Sequence, residues 1–235
     1  MKDVTYRLIA WLFESFLWGG ELIGGENLLE GPSVFVSNHL GAMGPIAVVA
    51  SLPIRVYPWV ISDMVDRDKA AQYLNQDFVE PQLHLSPPFN TWVAKGIAKI
   101  SVPLLCSAGC VPVWTGEKLY ETFKRSIDLL VEGKSLLVFP EDPSKEINTQ
   151  YKMTPFQKGF TRLGEMYYER TGKSLRFYPL AVHLDSYRVK AGQPIKFNPR
   201  NPVANERLRI KNLLESSTRA MFLEMGGMMG IPAQH

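Results

Sequence analysis

Three short runs of apolar residues carry no polar alternation: Val34-Phe35-Val36, Leu136-Leu137-Val138 and, with Pro179 inside it, Leu175 to Val182. Runs of that length and character predict strands buried on both faces of a parallel sheet. Between them the pattern turns helical. Leu119, Phe123, Ile127, Leu130 and Val131 recur at helical spacing after Thr115 and before Gly133. Thr154-Pro155-Phe156-Gln157 has the form of a capping box and predicts a helix running to about Thr171, with Gly172 as its stop. Arg55–Ile61 and Val111–Val113 read as further strands, Pro45–Leu52 as a short helix opened by Gly44-Pro45, and Thr91–Leu105 as a longer helix. Residues 64–90 have weak periodicity and read as an insertion. A terminal helix is predicted from about Val203 to Phe222, with Arg207, Arg209, Lys211 and Arg219 as a basic, solvated or membrane-facing side. The expectation is a single α/β domain, a mostly parallel sheet flanked by helices, over residues 21–235.

Residues 3–18 stand apart. They are helical by pattern and nearly all apolar, with Trp11, Phe13, Phe16 and Trp18 among them. The longest apolar run, Leu8 to Phe13, is far short of the ~20 residues that span a bilayer. Glu14 also argues against a signal peptide. Residues 1–20 are therefore expected to form an interfacial helix, with the tryptophans at headgroup level.

Each of two strand ends carries a group of acid–base character. Asn38-His39 follows the first apolar run and Pro140-Glu141 follows the second. In a parallel sheet both emerge at the same edge, where open α/β sheets hold their ligands. His39 is the candidate base and Glu141 its companion. Composition narrows the function further: 46% apolar and 21% charged residues with a net charge of +3 describe an ordinary globular chain. No arginine-rich patch or nucleic-acid-binding spacing occurs, so nucleic acid is not an expected partner. Cys106 and Cys110 have no second pair, so no metal site is expected.

Several blocks together resemble the glycerolipid acyltransferase family, of which the 1-acylglycerol-3-phosphate acyltransferases are the best-known members. Val36-Ser37-Asn38-His39 resembles the first block, Gly109-Cys110-Val111-Pro112-Val113 the second and Phe139-Pro140-Glu141 the third. Phe156-Gln157-Lys158-Gly159-Phe160 is similar to the helix start after it, and Tyr178 to Val182 to the fourth block. The resemblance covers about residues 20–190. It implies transfer of a fatty acyl group from acyl-CoA or acyl carrier protein to a hydroxyl or amine, with His39 as general base, Glu141 in the site and no cofactor. It also implies a peripheral place on the inner, cytoplasmic face of a membrane, reached through the N-terminal helix, with a lipid or small-molecule acceptor. Asn38, Trp114, Thr115, Asp142 and Lys145 occupy the positions expected to bind substrate.

The departures from that family are systematic. It places an aspartate five residues after the histidine, and here Gly44 stands there. The arginine positions of the second and third blocks are held by Trp114, Thr115 and Ser144. Asp63 and Asp142, each just after a strand, are the expected substitutes for the missing acid, and an aspartate at position 44 is expected to restore part of the rate without loss of stability. The alternative is a family member that binds lipid or acyl carrier without turnover. An esterase is the weakest reading, since no Gly-x-Ser-x-Gly elbow is present.

Overall fold

The computed structural model describes Tyr6, Trp11, Ser15, Phe16 and residues 18–227. In chain order the elements are β1 (Glu21–Ile23), β2 (Ser33–Val36), α1 (Met43–Ser51), β3 (Val56–Ile61), α2 (Ala70–Leu74), α3 (Glu80–Leu83) and α4 (Phe89–Ala108). There follow β4 (Val111–Val113), α5 (Leu119–Val131), β5 (Ser135–Val138), α6 (Arg162–Thr171), β6 (Arg176–His183), β7 (Arg188–Ala191), β8 (Ile195–Lys196) and α7 (Val203–Gly227). This is an α/β fold, and most of its described strand pairings are parallel. The residues gather into two compact units, Tyr57–Arg125 and the described residues on either side of that segment.

In the larger unit β2 is central. It pairs in parallel with β5 (Val34 opposite Leu136, Val36 opposite Val138) and with β6 (Ser33 opposite Arg176, Val36 opposite Pro179). β7 returns antiparallel on β6, β1 lies parallel beside β7, and β8 pairs with β6. Every residue of β2 and β5 is buried, as their continuous apolar runs predict. Phe35 and Tyr178 stack with centroids 5.2 Å apart, and Ala47 and Val48 from α1, with Leu52 just after it, pack into the same cluster. On the β6 side, Met221, Phe222 and Met225 of α7 cover Ala181. Burying a side chain of this kind contributes roughly 1.5–3 kcal/mol, so this double-sided packing fixes where β2 ends.

The smaller unit holds β3 and β4, a parallel pair with Trp59 opposite Val111. Residues 64–90, read from sequence as an insertion, contain α2, a π-helical turn at Asn75–Val79 and α3. Ala70, Leu74 and Val79 pack against Ala94, Ala98 and Val102 of α4. Small alanines on both sides and a π turn within the run blur the 3.6-residue period, which is why the pattern is weak in sequence.

Two further expectations are corrected. Trp18 is only 2% exposed. Its indole N–H donates to Ser51 Oγ at 2.9 Å and its ring lies beside Tyr187, so it anchors the chain to the core and offers nothing to a membrane. Trp11 and Phe16 are exposed as expected, while Phe13 lies outside the described residues. The basic side of α7 is not free either: Arg207 pairs with Glu165, Arg209 with Glu206, and Lys211 and Arg219 both with the buried Glu215.

The turn after β2 sets the geometry of the site. Leu40 and Gly41 both take left-handed backbone conformations, φ 46° and 64°. The chain thereby folds back so closely that a Cβ on Gly44 would fall 1.7 Å from the His39 carbonyl oxygen. No side chain fits there without moving the backbone. Gly44 is therefore a steric requirement of this turn, and it sits inside the first turn of α1, which opens at Met43. The same contact corrects the expectation that an aspartate here leaves stability unharmed. Gly44→Ala is expected to lower the unfolding free energy by about 1–3 kcal/mol. Gly44→Asp should do so at least as much and should not raise any activity that depends on His39. Urea titration of both variants checks this, and a Gly44→Asp chain as stable as the parent would refute it.

Candidate active site

His39 and Glu141 do emerge at one edge, but the contact between them is not the one their chemistry suggests. Glu141 Oε1 accepts from the backbone N–H of His39 at 2.7 Å. Its other oxygen accepts from the Thr154 backbone N–H at 2.8 Å and from the Thr154 hydroxyl at 3.3 Å. One carboxylate thus ties three segments: the exit of β2, the exit of β5 and the stretch at 153–157. That stretch is further laced to the β5 exit by Asp142 N–H to Pro155 O (3.1 Å), Gln157 N–H to Pro140 O (2.7 Å) and a bridge between Glu141 and Phe156. Thr154 is consequently not a helix cap. Helix α6 begins only at Arg162, after a 3-10 turn at Gly159–Thr161. The Thr-Pro-Phe-Gln signature is spent on bridging.

Burial pushes the Glu141 carboxyl above its ordinary range, and the three hydrogen bonds pull the other way. It holds the His39 backbone and not the imidazole. The His39 ring is left free of that carboxylate. It meets Phe139 edge to face, with centroids 5.2 Å apart, and keeps an exposed side. The protein packed behind it lowers its pKa below the ordinary value, which favours the neutral imidazole a general base needs. Among the described residues no carboxylate is hydrogen-bonded to the ring.

Asn38, expected among the substrate-binding positions, is placed inside the sheet. It is fully buried, and its side-chain amide donates to Val182 O at 3.0 Å and accepts from Val182 N–H at 2.8 Å. It makes one more rung between β2 and β6 through a side chain, immediately before His39. Asp142 is engaged in its own turn. Its Oδ1 accepts from Ser144 N–H (3.0 Å) and Ser144 Oγ–H (2.7 Å), and those bonds hold its carboxyl below the usual range. Lys145 closes the same turn through its backbone N–H to Asp142 O at 3.1 Å, and its side chain is exposed.

Trp114, Thr115 and Asp63 belong to the smaller unit. Trp114 follows β4, its N–H bonded to Thr122 Oγ1 at 3.0 Å and its ring under the Lys118 ammonium; Thr115 precedes the 3-10 turn at Gly116–Lys118. Asp63 stands in the turn after β3, 3.6 Å from Lys69 Nζ. Among the described residues no cluster of side chains could hold a metal. Cys106 is exposed and Cys110 buried, both as free thiols.

Two residues of this arrangement escaped sequence reading. Thr154 is hidden by its resemblance to a cap. Glu215 reaches in from α7, its carboxylate accepting from the Phe156 N–H at 3.3 Å while it pairs with Lys211 and Arg219. An i,i+4 charge pair on a helix gives no hint of that third contact.

Because Glu141 touches the His39 backbone and not its ring, Glu141→Gln should lower turnover at least about tenfold while the acid limb of the pH profile stays in place. The amide can serve only some of the three donors, and an unmet buried donor costs ~1–3 kcal/mol. A shift of that limb in the variant would mean the carboxylate acts on the imidazole itself.

No protein family's sequence profile matches this chain, and no curated protein does. A solved structure does: the 1-acyl-sn-glycerophosphate (LPA) acyltransferase PlsC from Thermotoga maritima is similar over 100% of this chain and 86% of its own, with a TM-score of 0.57 at 12% identity. At that identity the likeness is one of fold. This chain has the α/β fold of that acyltransferase.

Proposed function

We propose that the protein is an acyltransferase that moves a fatty acyl group from a thioester, acyl-CoA or acyl carrier protein, to a hydroxyl or amine of a lipid or small-molecule acceptor. The observation that carries this reading is the His39 imidazole. It is held at the end of β2 by the Glu141 carboxylate on its backbone, with its pKa lowered and one side of its ring open. In the proposed step the neutral imidazole takes the acceptor proton as the acceptor oxygen or nitrogen bonds to the thioester carbonyl carbon. The carbon–sulfur bond then breaks, and the imidazolium returns the proton to the departing thiolate. Without a carboxylate on its ring the imidazolium is less stabilised, so slow turnover is expected. The fold shared with the Thermotoga enzyme supports the reaction class.

The acceptor is a neutral or amino compound on this reading. Trp114, Thr115 and Ser144 stand where the resembling family has its phosphate-binding arginines, and Ser144 spends its N–H and hydroxyl on Asp142. A phosphate without an arginine fork forgoes charge-assisted bonds of about 1.5–3 kcal/mol each. A membrane surface is the proposed setting, met from the cytoplasmic side. No described helix is long and apolar enough to cross a membrane.

Thiol release from acyl-CoA, measured with a panel of acceptors, is the direct test. Release should require an acceptor, and neutral acceptors should outpace lysophosphatidate; the reverse order would refute the acceptor assignment. His39→Ala should abolish release, and turnover surviving in that variant would remove His39 as the base. Absence of release in the parent with every acceptor would leave a lipid- or carrier-binding protein.

The pH dependence follows from sign. A lowered His39 pKa keeps the ring neutral to lower pH, so more than half of the plateau kcat/KM should remain at pH 6.5, with the acid limb falling below it. An acid limb centred above that value would contradict the lowered pKa of the ring.

A further inference from the structure

We infer that the outer face of α4 is a docking surface for anionic phospholipid bilayers. The inference rests on the membrane surface being a partner, as proposed above, and assigns the contact to a part of the chain other than the N-terminal helix.

Helix α4 has twenty residues and no aspartate or glutamate among them. At about 100° per residue, Asn90, Ala94, Ala98 and Val102 fall on one side and are buried. Phe89, Trp92, Lys95, Lys99 and Ile100 fall on the opposite side, within an arc of about 140° at the same spacing. That outer side is open: Trp92 is 73% exposed, Ile100 72% and Phe89 66%. Three large apolar side chains in solvent on one helix face are not what a globular surface ordinarily presents.

The charge is arranged to match. Lys95 and Lys99 join Arg67 around a groove of about 360 Å³ whose floor is Ala71, Ala98 and Val102. No carboxylate lines it. Among the described residues none of the three cations has an ion-pair partner, in contrast to the four on α7, each of which is paired. The groove offers an apolar floor beneath three positive charges, a fit for a phosphate headgroup over its first methylenes. Around the helix Trp92 lies about 20° from Lys99, with Phe89 and Ile100 further along the same outer side, where side chains would enter the interface. A helix of this length is about 30 Å long, enough to lie along a bilayer surface and, with its two lysines, unsuited to crossing it. An acidic protein partner would answer the cations but not the exposed tryptophan, phenylalanine and isoleucine beside them.

Co-sedimentation of the full chain with vesicles tests this. Phosphatidylcholine vesicles are compared with vesicles containing 30 mol%, roughly, of phosphatidylglycerol, at low and high salt. The parent should prefer the anionic vesicles and lose that preference as salt rises. Lys95→Glu/Lys99→Glu should reduce partitioning to anionic vesicles at least about tenfold, given about fivefold per basic residue near such a surface. Trp92→Ser/Ile100→Ser should weaken binding at all salt concentrations. Both pairs lie on exposed positions, and circular dichroism verifies that the variants fold. If the parent binds and both variants bind equally well, the α4 assignment falls while the membrane reading stands on another segment. If the parent does not bind at all, both fall. Loss of acyl carrier protein binding in the lysine variant, with vesicle binding kept, would assign the face to a protein and overturn the inference.

Discussion

The Glu141 carboxylate is the interaction on which the candidate site depends. Parallel strands deliver β2 and β5 to the same edge, but beyond the last ladder bond nothing in a sheet keeps two exit loops together. Here a half-buried acid accepts from the His39 N–H, the Thr154 N–H and the Thr154 hydroxyl. It turns two strand exits and the stretch at 153–157 into one body. The arrangement divides labour in an unusual way for a histidine–carboxylate pair, since the acid holds the main chain and leaves the ring to its surroundings. A ring so placed is tuned by burial alone, which lowers its pKa, where a carboxylate on the ring would have raised it.

The fold was legible wherever burial is two-sided. Val34-Phe35-Val36 and Leu136-Leu137-Val138 have no polar position to spare because no face of β2 or β5 meets water. That is also why His39 and Glu141 could be placed at one edge from the sequence. What lay beyond reach were features defined by distance between main-chain atoms. Gly44 reads in sequence as a missing aspartate, yet the His39 carbonyl occupies the space its Cβ would need. Asn38 reads as a polar residue beside a base, yet its amide is a rung of the sheet. Thr154 reads as a cap because Thr-Pro-x-Gln is the same string whether its hydroxyl meets a helix end or a carboxylate. Trp18 reads as interfacial because the pattern of residues 3–18 is apolar on nearly every side, and only its bond to Ser51 tells which aromatic faces inward.

Charge is distributed by the same logic of neighbours. A sequence shows Arg207, Arg209, Lys211 and Arg219 as a conspicuous basic run and Arg67, Lys95 and Lys99 as scattered residues. In three dimensions every member of the run is ion-paired, with Glu215 between two cations and in reach of Phe156 N–H, so it fastens α7 to the site segment. The scattered cations converge on one groove. Net charge near zero in one place and concentrated in another is invisible to composition, which records only +3 for the whole chain.

The two thiols carry a practical consequence. Burial, with Cys106 nearby, pushes the Cys110 thiol up to about 11, so almost none of it is thiolate at neutral pH. Cys106 stands exposed near the last turn of α4. An alkylating reagent used briefly at neutral pH will therefore discriminate between them without mutagenesis, and a fluorophore or spin label introduced in this way reports from a single defined point on the native chain.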